Sequence, residues 1–409
     1  MRLVMSMSTK EIIALASKHL MGNISRYELA FEKGQGMWLW DADGKKYLDF
    51  LGGVATCALG YAPETVVKTL AEQAAKLIHV SNYFYTQPLV ELAELLTTTS
   101  GMGKAFFCNS GAEANEAAIK LARKYSHDLY GPGRFGIITA LGSFHGRTLG
   151  TISATGQEKV KVGFEPLLPG FTHVAYGDVE AIRAAITPET CAVMLEPVLG
   201  EGGVVVPPPD YFPKVAELCR EKKLLLVLDE IQTGLGRTGL PYAFQHYGIK
   251  PDIISLAKAL GGGVASGAML ASDDVAPHLS PGSHSTTVGG APLAMAVGLT
   301  MVKTILEPAF MDNVVATGHY FRKRLEVLAE ELGPEVVRDV RGQGLILAME
   351  LTRPSAPVVM EMTRRGFLIN ATAGTVLRFV PPLIVTKAEV DFLMPELAES
   401  IKAVYSQGD

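Results

Sequence analysis

Residues 224–229 read Leu-Leu-Leu-Val-Leu-Asp, five aliphatic side chains closed by a carboxylate. Such a run offers water no face, and it fits a short strand buried on both sides, as in the middle of a helix-covered parallel sheet. An acid at the carboxyl end of that strand stands where open α/β sheets place their ligands. A second apolar stretch, Ile253–Leu256, leads through Ala257 to Lys258 and then to Gly261-Gly262-Gly263. A lysine in apolar surroundings loses its charge readily and can form a Schiff base. An acid to face a pyridinium nitrogen and a Schiff-base lysine are the two groups that pyridoxal phosphate asks of a protein. Asp229 and Lys258 are therefore the candidate catalytic pair.

The remaining pattern predicts an α/β fold. Strands are expected at 105–107, 135–139, 172–175, 191–195, 224–228, 253–255 and 267–270, with helical stretches between them. Strands separated by helices of that length predict a mainly parallel central sheet. A chain of 409 residues exceeds the size at which one hydrophobic core stops growing, so two domains are expected. The large domain is placed at 60–290 and a smaller α+β domain at 291–409, with helices at 293–307 and 313–332 and strands near 345–351 and 376–380. Residues 1–59 carry a helix at 9–20 and a hairpin across Asp41-Ala42-Asp43-Gly44, and are expected to pack with the small domain. Asp210 is expected to cap the helix that follows Pro207-Pro208-Pro209.

A net charge of −5 with no basic cluster argues against nucleic acid and against an anionic membrane surface. No apolar run approaches the roughly 20 residues of a membrane helix, and Met1–Met5 is too short for a secretory signal. Cys57, Cys108, Cys191 and Cys219 form no metal-binding spacing, which fits thiols in a reducing cytoplasm and no metal site.

Several segments suit the same chemistry, each with a plainer alternative. Ser110-Gly111-Ala112 joins a strand to a helix, where backbone N–H groups and the helix dipole can hold a dianion; the plainer reading is an ordinary serine cap. In Phe144-His145-Gly146-Arg147 the phenyl ring can stack on a cofactor and the arginine can grip a carboxylate, or the pair is simply core and surface. Glu196 and Glu201 follow a strand; read as a glycosidase pair they leave Lys258 unexplained. Gly234–Gly239 matches G-x-G-x-x-G, but it does not follow its strand tightly, and Pro241 blocks the helix a dinucleotide site needs. Arg378 lies inside an apolar strand and requires a partner, either a substrate carboxylate or a structural acid. Thr286 and Thr287 occupy a polar, glycine-flanked loop, and Thr286 receives no role.

Taken together, Phe107–Ala117, Phe144–Thr148, Leu195–Gly203, Leu228–Gly234, Leu256–Gly263 and Val376–Leu383 resemble, in order, the class III pyridoxal-phosphate aminotransferases of fold type I. Within that family the resemblance is strongest to the acetylornithine branch. It implies transfer of a terminal amino group to 2-oxoglutarate, with ornithine, succinylornithine, 4-aminobutyrate or an N-blocked lysine as alternative donors. Decarboxylases, racemases and aminomutases on this fold are a more distant alternative. By the same resemblance Lys258 would bind the cofactor aldehyde and move the substrate proton, and Asp229 would hold the ring nitrogen. Gln232 would meet the phenolic oxygen, Phe144 would stack on the ring, and Ser110, Gly111 and Ala112 would cradle the phosphate. Thr287 would reach that phosphate from a second subunit of a homodimer. Arg378 would bind the carboxylate beside the 2-oxo group, Glu201 would pair with Arg378 when an ω-amine enters, and Arg147 would hold the distal carboxylate. Leu199, Val288, Ala291, Ala265-Ser266 and Tyr61-Ala62-Pro63 depart from the family pattern.

Overall fold

The computed structural model describes residues 7–406; the opening run Met1–Met5 lies outside them. Seven strands form the central sheet: β1 (Lys104–Cys108), β2 (Gly136–Ala140), β3 (Phe171–Val174), β4 (Thr190–Leu195), β5 (Leu225–Asp229), β6 (Ile253–Leu256) and β7 (Gly267–Ala271). Their order is β1-β7-β6-β5-β4-β2-β3. Only β7 runs against its neighbours; the other pairings are parallel.

The aliphatic run of β5 divides between two cores by the two-residue period of a strand. Leu226 and Leu228 join one cluster, with Phe212, Val215 and Leu218 from the helix Tyr211–Lys222. Leu225 and Val227 join the other, against Ala117, Ala118, Leu121 and Ala122 of the helix Gly111–Tyr130. Small side chains let that helix lie close to the sheet. Asp210 does not cap Tyr211–Lys222 as expected: its own backbone is helical, its side chain accepts no backbone N–H, and it pairs with Lys214 one turn on.

Two smaller sheets flank this body. Val337–Gln343, Ile346–Leu351, Val376–Phe379 and Asn370–Thr372 form an antiparallel sheet. The hairpin Trp38–Asp41/Lys46–Asp49 gains a strand on each side, Phe31–Gln35 and the distant Phe367–Leu368. No single helix among the described residues is long and apolar enough to cross a membrane; Pro292–Ile305 and Pro308–Leu332 come nearest as a pair and bend by 66°.

After the hairpin the chain makes a left-handed turn. Gly52, Gly53, Val54 and Ala55 all have φ between 57° and 64°. Left-handed backbone costs an L-residue about 1–2 kcal/mol, so the turn needs outside support. Buried Asp49 supplies it by accepting the N–H groups of Leu51 (2.7 Å) and Gly52 (3.0 Å) and the hydroxyl of Tyr61 (2.5 Å). A Cβ on Gly52 would lie 2.7 Å from the Val380 carbonyl oxygen. Gly52→Ala is therefore expected to cost roughly 2 kcal/mol or more, read as a lower urea midpoint with an unchanged slope.

Candidate functional site

Every parallel strand between β1 and β6 except β3 delivers a functional segment at its carboxyl end. Asn109–Ala112 follow β1, Phe144–Arg147 follow β2, Glu196 follows β4, Asp229 ends β5 and Lys258 follows β6. Antiparallel β7 brings its amino end to the same edge, with Gly267 in register with Cys108. Between them lies a cavity of about 470 Å³ whose walls include Ser110, Phe144, Arg147, Glu201, Asp229, Gln232 and Lys258.

Strand periodicity fixes where Asp229 points. It shares a face with Leu225 and Val227, and its register partner Ser255 lies on the same side as Ile253. That face is covered by Gly111–Tyr130, so Asn115, one turn into the helix, meets both. Asn115 Nδ2 donates to Asp229 Oδ2 at 2.7 Å, and Ser255 Oγ donates to Asn115 Oδ1 at 2.6 Å. Asp229 Oδ2 also meets His145 Nδ1 at 2.8 Å, and Asp229 Oδ1 accepts from the Ile231 N–H at 3.1 Å. Burial works against a charged His145, but the hydrogen bond and charge of Asp229 outweigh it and raise its pKa. Glu196 is also buried, which holds its carboxyl well above the usual carboxylate range; the Phe144 and Gly200 N–H groups satisfy its two oxygens.

Lys258 sits in a 3₁₀ turn with φ 46°, a strained value for a residue with a side chain, and Gly261 and Gly262 both donate to its carbonyl. Desolvation in the cavity lowers its pKa to about 8, with Arg378 acting in the same direction and the carboxylates of Glu201, Asp229 and Glu196 opposing. The amine therefore sheds its proton about two pH units below an ordinary lysine.

Across the cavity, Arg378 is 1% exposed yet fully engaged. Its strand partner Asn370 accepts from Nε at 3.1 Å and from Nη2 at 2.7 Å, while Nη1 donates to Glu201 Oε1 at 2.6 Å and to Gln232 Oε1 at 3.4 Å. Burial is the largest influence on Glu201 and would raise its pKa, but the charge and hydrogen bond of Arg378, with Lys258 and Gln232, together outweigh it and lower it. Gly200 makes room for this cluster, since a Cβ there would fall 2.2 Å from Gln232 Oε1. Arg147, at the exposed rim, has its guanidinium 5.5 Å from the centre of the Phe144 ring.

Of the eleven residues given a role from sequence, ten come together here and Thr287 does not. Ser110, Gly111, Ala112, Phe144, Arg147, Glu201, Asp229, Gln232 and Lys258 line the cavity, and Arg378 stands behind Glu201 and Gln232. Ser110 is also an ordinary cap, accepting from the Glu113 N–H at 3.2 Å. Thr287 is exposed and does not line the cavity of its own chain, whereas Thr286 accepts from Asn109 Nδ2 at 3.1 Å. Gly234–Gly239 forms turns and opens no helix; buried Arg237 donates there to the carbonyls of Leu345 and Pro381. Sequence reasoning missed Asn115, Thr56 and Ser266. Asn115 was detectable as a polar residue beside the alanine stripe of an otherwise buried helix face.

The family model for aminotransferase class-III matches residues 22–401. The chain belongs to the class-III aminotransferases. The acetylornithine aminotransferase of Myxococcus xanthus is 47% identical over 384 residues, 94% of this chain and 96% of that one. Among solved structures, the ornithine aminotransferase of Toxoplasma gondii, described with pyridoxal phosphate at its active site, superposes with a TM-score of 0.93 at 33% identity, covering 99% of this chain and 97% of that one. The N-acetylornithine aminotransferase of Stenotrophomonas maltophilia superposes with a TM-score of 0.83 at 36% identity, covering 97% and 100%. This class-III aminotransferase depends on pyridoxal 5′-phosphate and acts on an amino donor and a keto acid. The cavity suits that cofactor: a low-pKa amine, a buried carboxylate and a helix start converge on one space.

Because the Lys258 amine titrates near 8 instead of 10.5, its neutral fraction in the cofactor-free protein should saturate at lower pH than that of surface lysines. Reductive methylation followed by peptide mass spectrometry should show labelling at Lys258 rising through about pH 8 and then levelling, while exposed lysines continue to gain up to about pH 10.

Proposed function

We propose that this enzyme moves the terminal amino group of N2-acetylornithine to 2-oxoglutarate, giving N-acetylglutamate 5-semialdehyde and glutamate, as a step of arginine biosynthesis in the cytoplasm. The observation that carries the reading is the Glu201–Arg378 ion pair, 2.6 Å long, beside Lys258. A transaminase must accept two substrates of different shape in one cavity. With the pair closed, the arginine is neutralised and the far end of an ω-amine can enter without a carboxylate there. With Glu201 turned aside, Arg378 offers a planar fork to the carboxylate next to a 2-oxo group. Relatives 47% identical, named acetylornithine aminotransferases, support the donor.

When bound, pyridoxal phosphate supplies an aldehyde for amines and a ring that accepts electrons from the substrate carbon. Ser110, Gly111 and Ala112 would hold its phosphate at the helix start, Asp229 would keep its ring nitrogen protonated, Gln232 would meet its phenolic oxygen and Phe144 would cover its face. Lys258, its pKa lowered to about 8 by burial, would take the proton from the amino-bearing carbon of the donor. Asn115 and His145 hold the Asp229 carboxylate in place. Arg147 holds the carboxylate at the cavity rim.

A homodimer belongs to the same proposal, with Thr287 of a second copy completing the phosphate site. Tyr83 and Tyr85, 92% and 93% exposed in the single chain, support it, because Asn82 ties their loop to the Thr286 carbonyl beside Thr287. The domain division proposed is a cofactor-binding body over 60–290 and a smaller body from 1–59 and 291–409; the strand pairing of Lys46–Asp49 with Phe367–Leu368 supports it.

Adding single amines to the purified yellow protein and following its visible absorbance tests the donor: acetylornithine should bleach it faster than ornithine or 4-aminobutyrate, and 2-oxoglutarate should then yield glutamate. Absence of bleaching by any ω-amine would refute transamination. Lys258→Ala should lower kcat by about 10³-fold or more with the fold intact by circular dichroism. Arg378→Ala should raise KM for 2-oxoglutarate by roughly 10–100-fold through loss of a charged pair.

A further inference from the structure

The amino edge of the central sheet carries a cavity of about 690 Å³, larger than the catalytic one of about 470 Å³ and sharing no wall residue with it. Its floor is Leu224–Leu226 at the start of β5, with Asp252 just ahead of β6. Arg220, Lys223 and Lys250 stand on its walls, each exposed and none in an ion pair among the described residues. Arg134 adds a fourth positive charge at the rim: it donates to the Lys223 carbonyl at 2.6 Å and lies 4.2 Å from the centre of the Tyr130 ring. Two acids stand near, Asp252 and Asp274. Burial raises the Asp252 pKa against the pull of the Arg220 and Lys250 charges, and its Oδ2 is taken by the Leu226 N–H at 2.8 Å. Glu221, on the helix that bears Arg220, is neutralised by Lys222 and Arg183. Arg220 and Lys223 close that helix, where cations are favoured in any case; Lys250 and Arg134 come from other segments and have no such reason. Lys223 also holds φ 55°, which a glycine adopts without strain and a lysine does not. Tyr125, Tyr130 and Tyr247 complete the wall, and none of their hydroxyls bonds another group among the described residues.

We infer that this cavity is a second, non-catalytic binding site, and that it takes a phosphate monoester with an aromatic body. The four cations outweigh the two acids by about two charges, the complement of a phosphate ester near neutral pH. Its oxygens can accept from several directions at once, and the donors here converge from separate segments: Arg220 and Lys223 from one, Lys250 from another, the phenols from three. The space far exceeds a bare phosphate, and the tyrosine rings offer faces on which an organic ring can lie. An occupant would touch the amino ends of the two strands whose far ends lead to Asp229 and Lys258, about 13 Å away along β5.

Isothermal titration of the holoenzyme at low ionic strength tests the site with three probes: phenyl phosphate, phenyl sulfate and phthalate. Phenyl phosphate should bind saturably with a Kd of about 1 mM or tighter. It should bind at least about ten-fold more tightly than phenyl sulfate, which has the same shape and one charge fewer. Arg220→Gln together with Lys250→Gln, both exposed and remote from the catalytic cavity, should weaken phenyl phosphate about ten-fold or more and leave kcat unchanged. Lys223→Gly relieves the left-handed backbone, so it should weaken the same probe about three-fold or more while raising the thermal midpoint. No saturable binding below about 10 mM overturns the site. So does equal affinity for the phosphate and sulfate esters, a preference for phthalate, or phenyl phosphate binding that survives these substitutions.

Discussion

Burial of the Asp229 carboxylate at the end of a wholly apolar strand is the constraint around which the site is arranged. An unpaired charge there would be costly, and the protein answers with three donors on two oxygens: the Asn115 amide, the His145 ring and the Ile231 N–H. Each partner arrives by a different route. Asn115 comes from the helix that covers the sheet, His145 from the loop after β2, and Ile231 from the chain's own continuation. The helix must therefore lie close to the sheet, which explains its alanine face, and its start then falls beside the cavity with backbone N–H groups free for an anion.

The same economy governs the opposite wall. Arg378 shares a strand face with Val376 and Val380, which pack against Val198, Val204 and Ala55. That face brings the Glu201 loop within reach of the guanidinium and seats the left-handed turn against the same strand. Asn370, the cross-strand neighbour, occupies two guanidinium nitrogens and leaves Nη1 to alternate between Glu201 and an incoming carboxylate. The arginine is held in place by a neutral partner, so its charge remains available.

Local chemistry made much of this visible in the sequence. The all-aliphatic 224–228 run revealed a central strand because no other short element tolerates apolar side chains on both faces. Lys258 and Asp229 stood out because charged residues bordering apolar runs are rare enough to demand a reason. The reversal of β7 was hidden, since Gly267–Ala271 carries the same composition in either direction. Asn115 was overlooked because its role exists only once Asp229 and Ser255 are in register. Asp210 misled for the opposite reason: a sequence-perfect cap found a lysine one turn away and left the backbone uncapped. Thr56 carried no local signal, because its place on the cavity wall depends on a left-handed turn held by Asp49 and packed against the distant Val380 carbonyl.

Strand β7 lies between β1 and β6, and β1 has no other neighbour in the sheet. The segment bearing Ser110–Ala112 is thus stitched to the segment bearing Lys258 only after residues 267–271 have been synthesised and slotted between them. Contacts so distant along the chain are slow to form, since loop closure precedes any reward. A ribosome must deliver nearly two-thirds of the polypeptide before a phosphate-bearing aldehyde has anywhere to dock, so vitamin loading is tied to late maturation of the nascent protein.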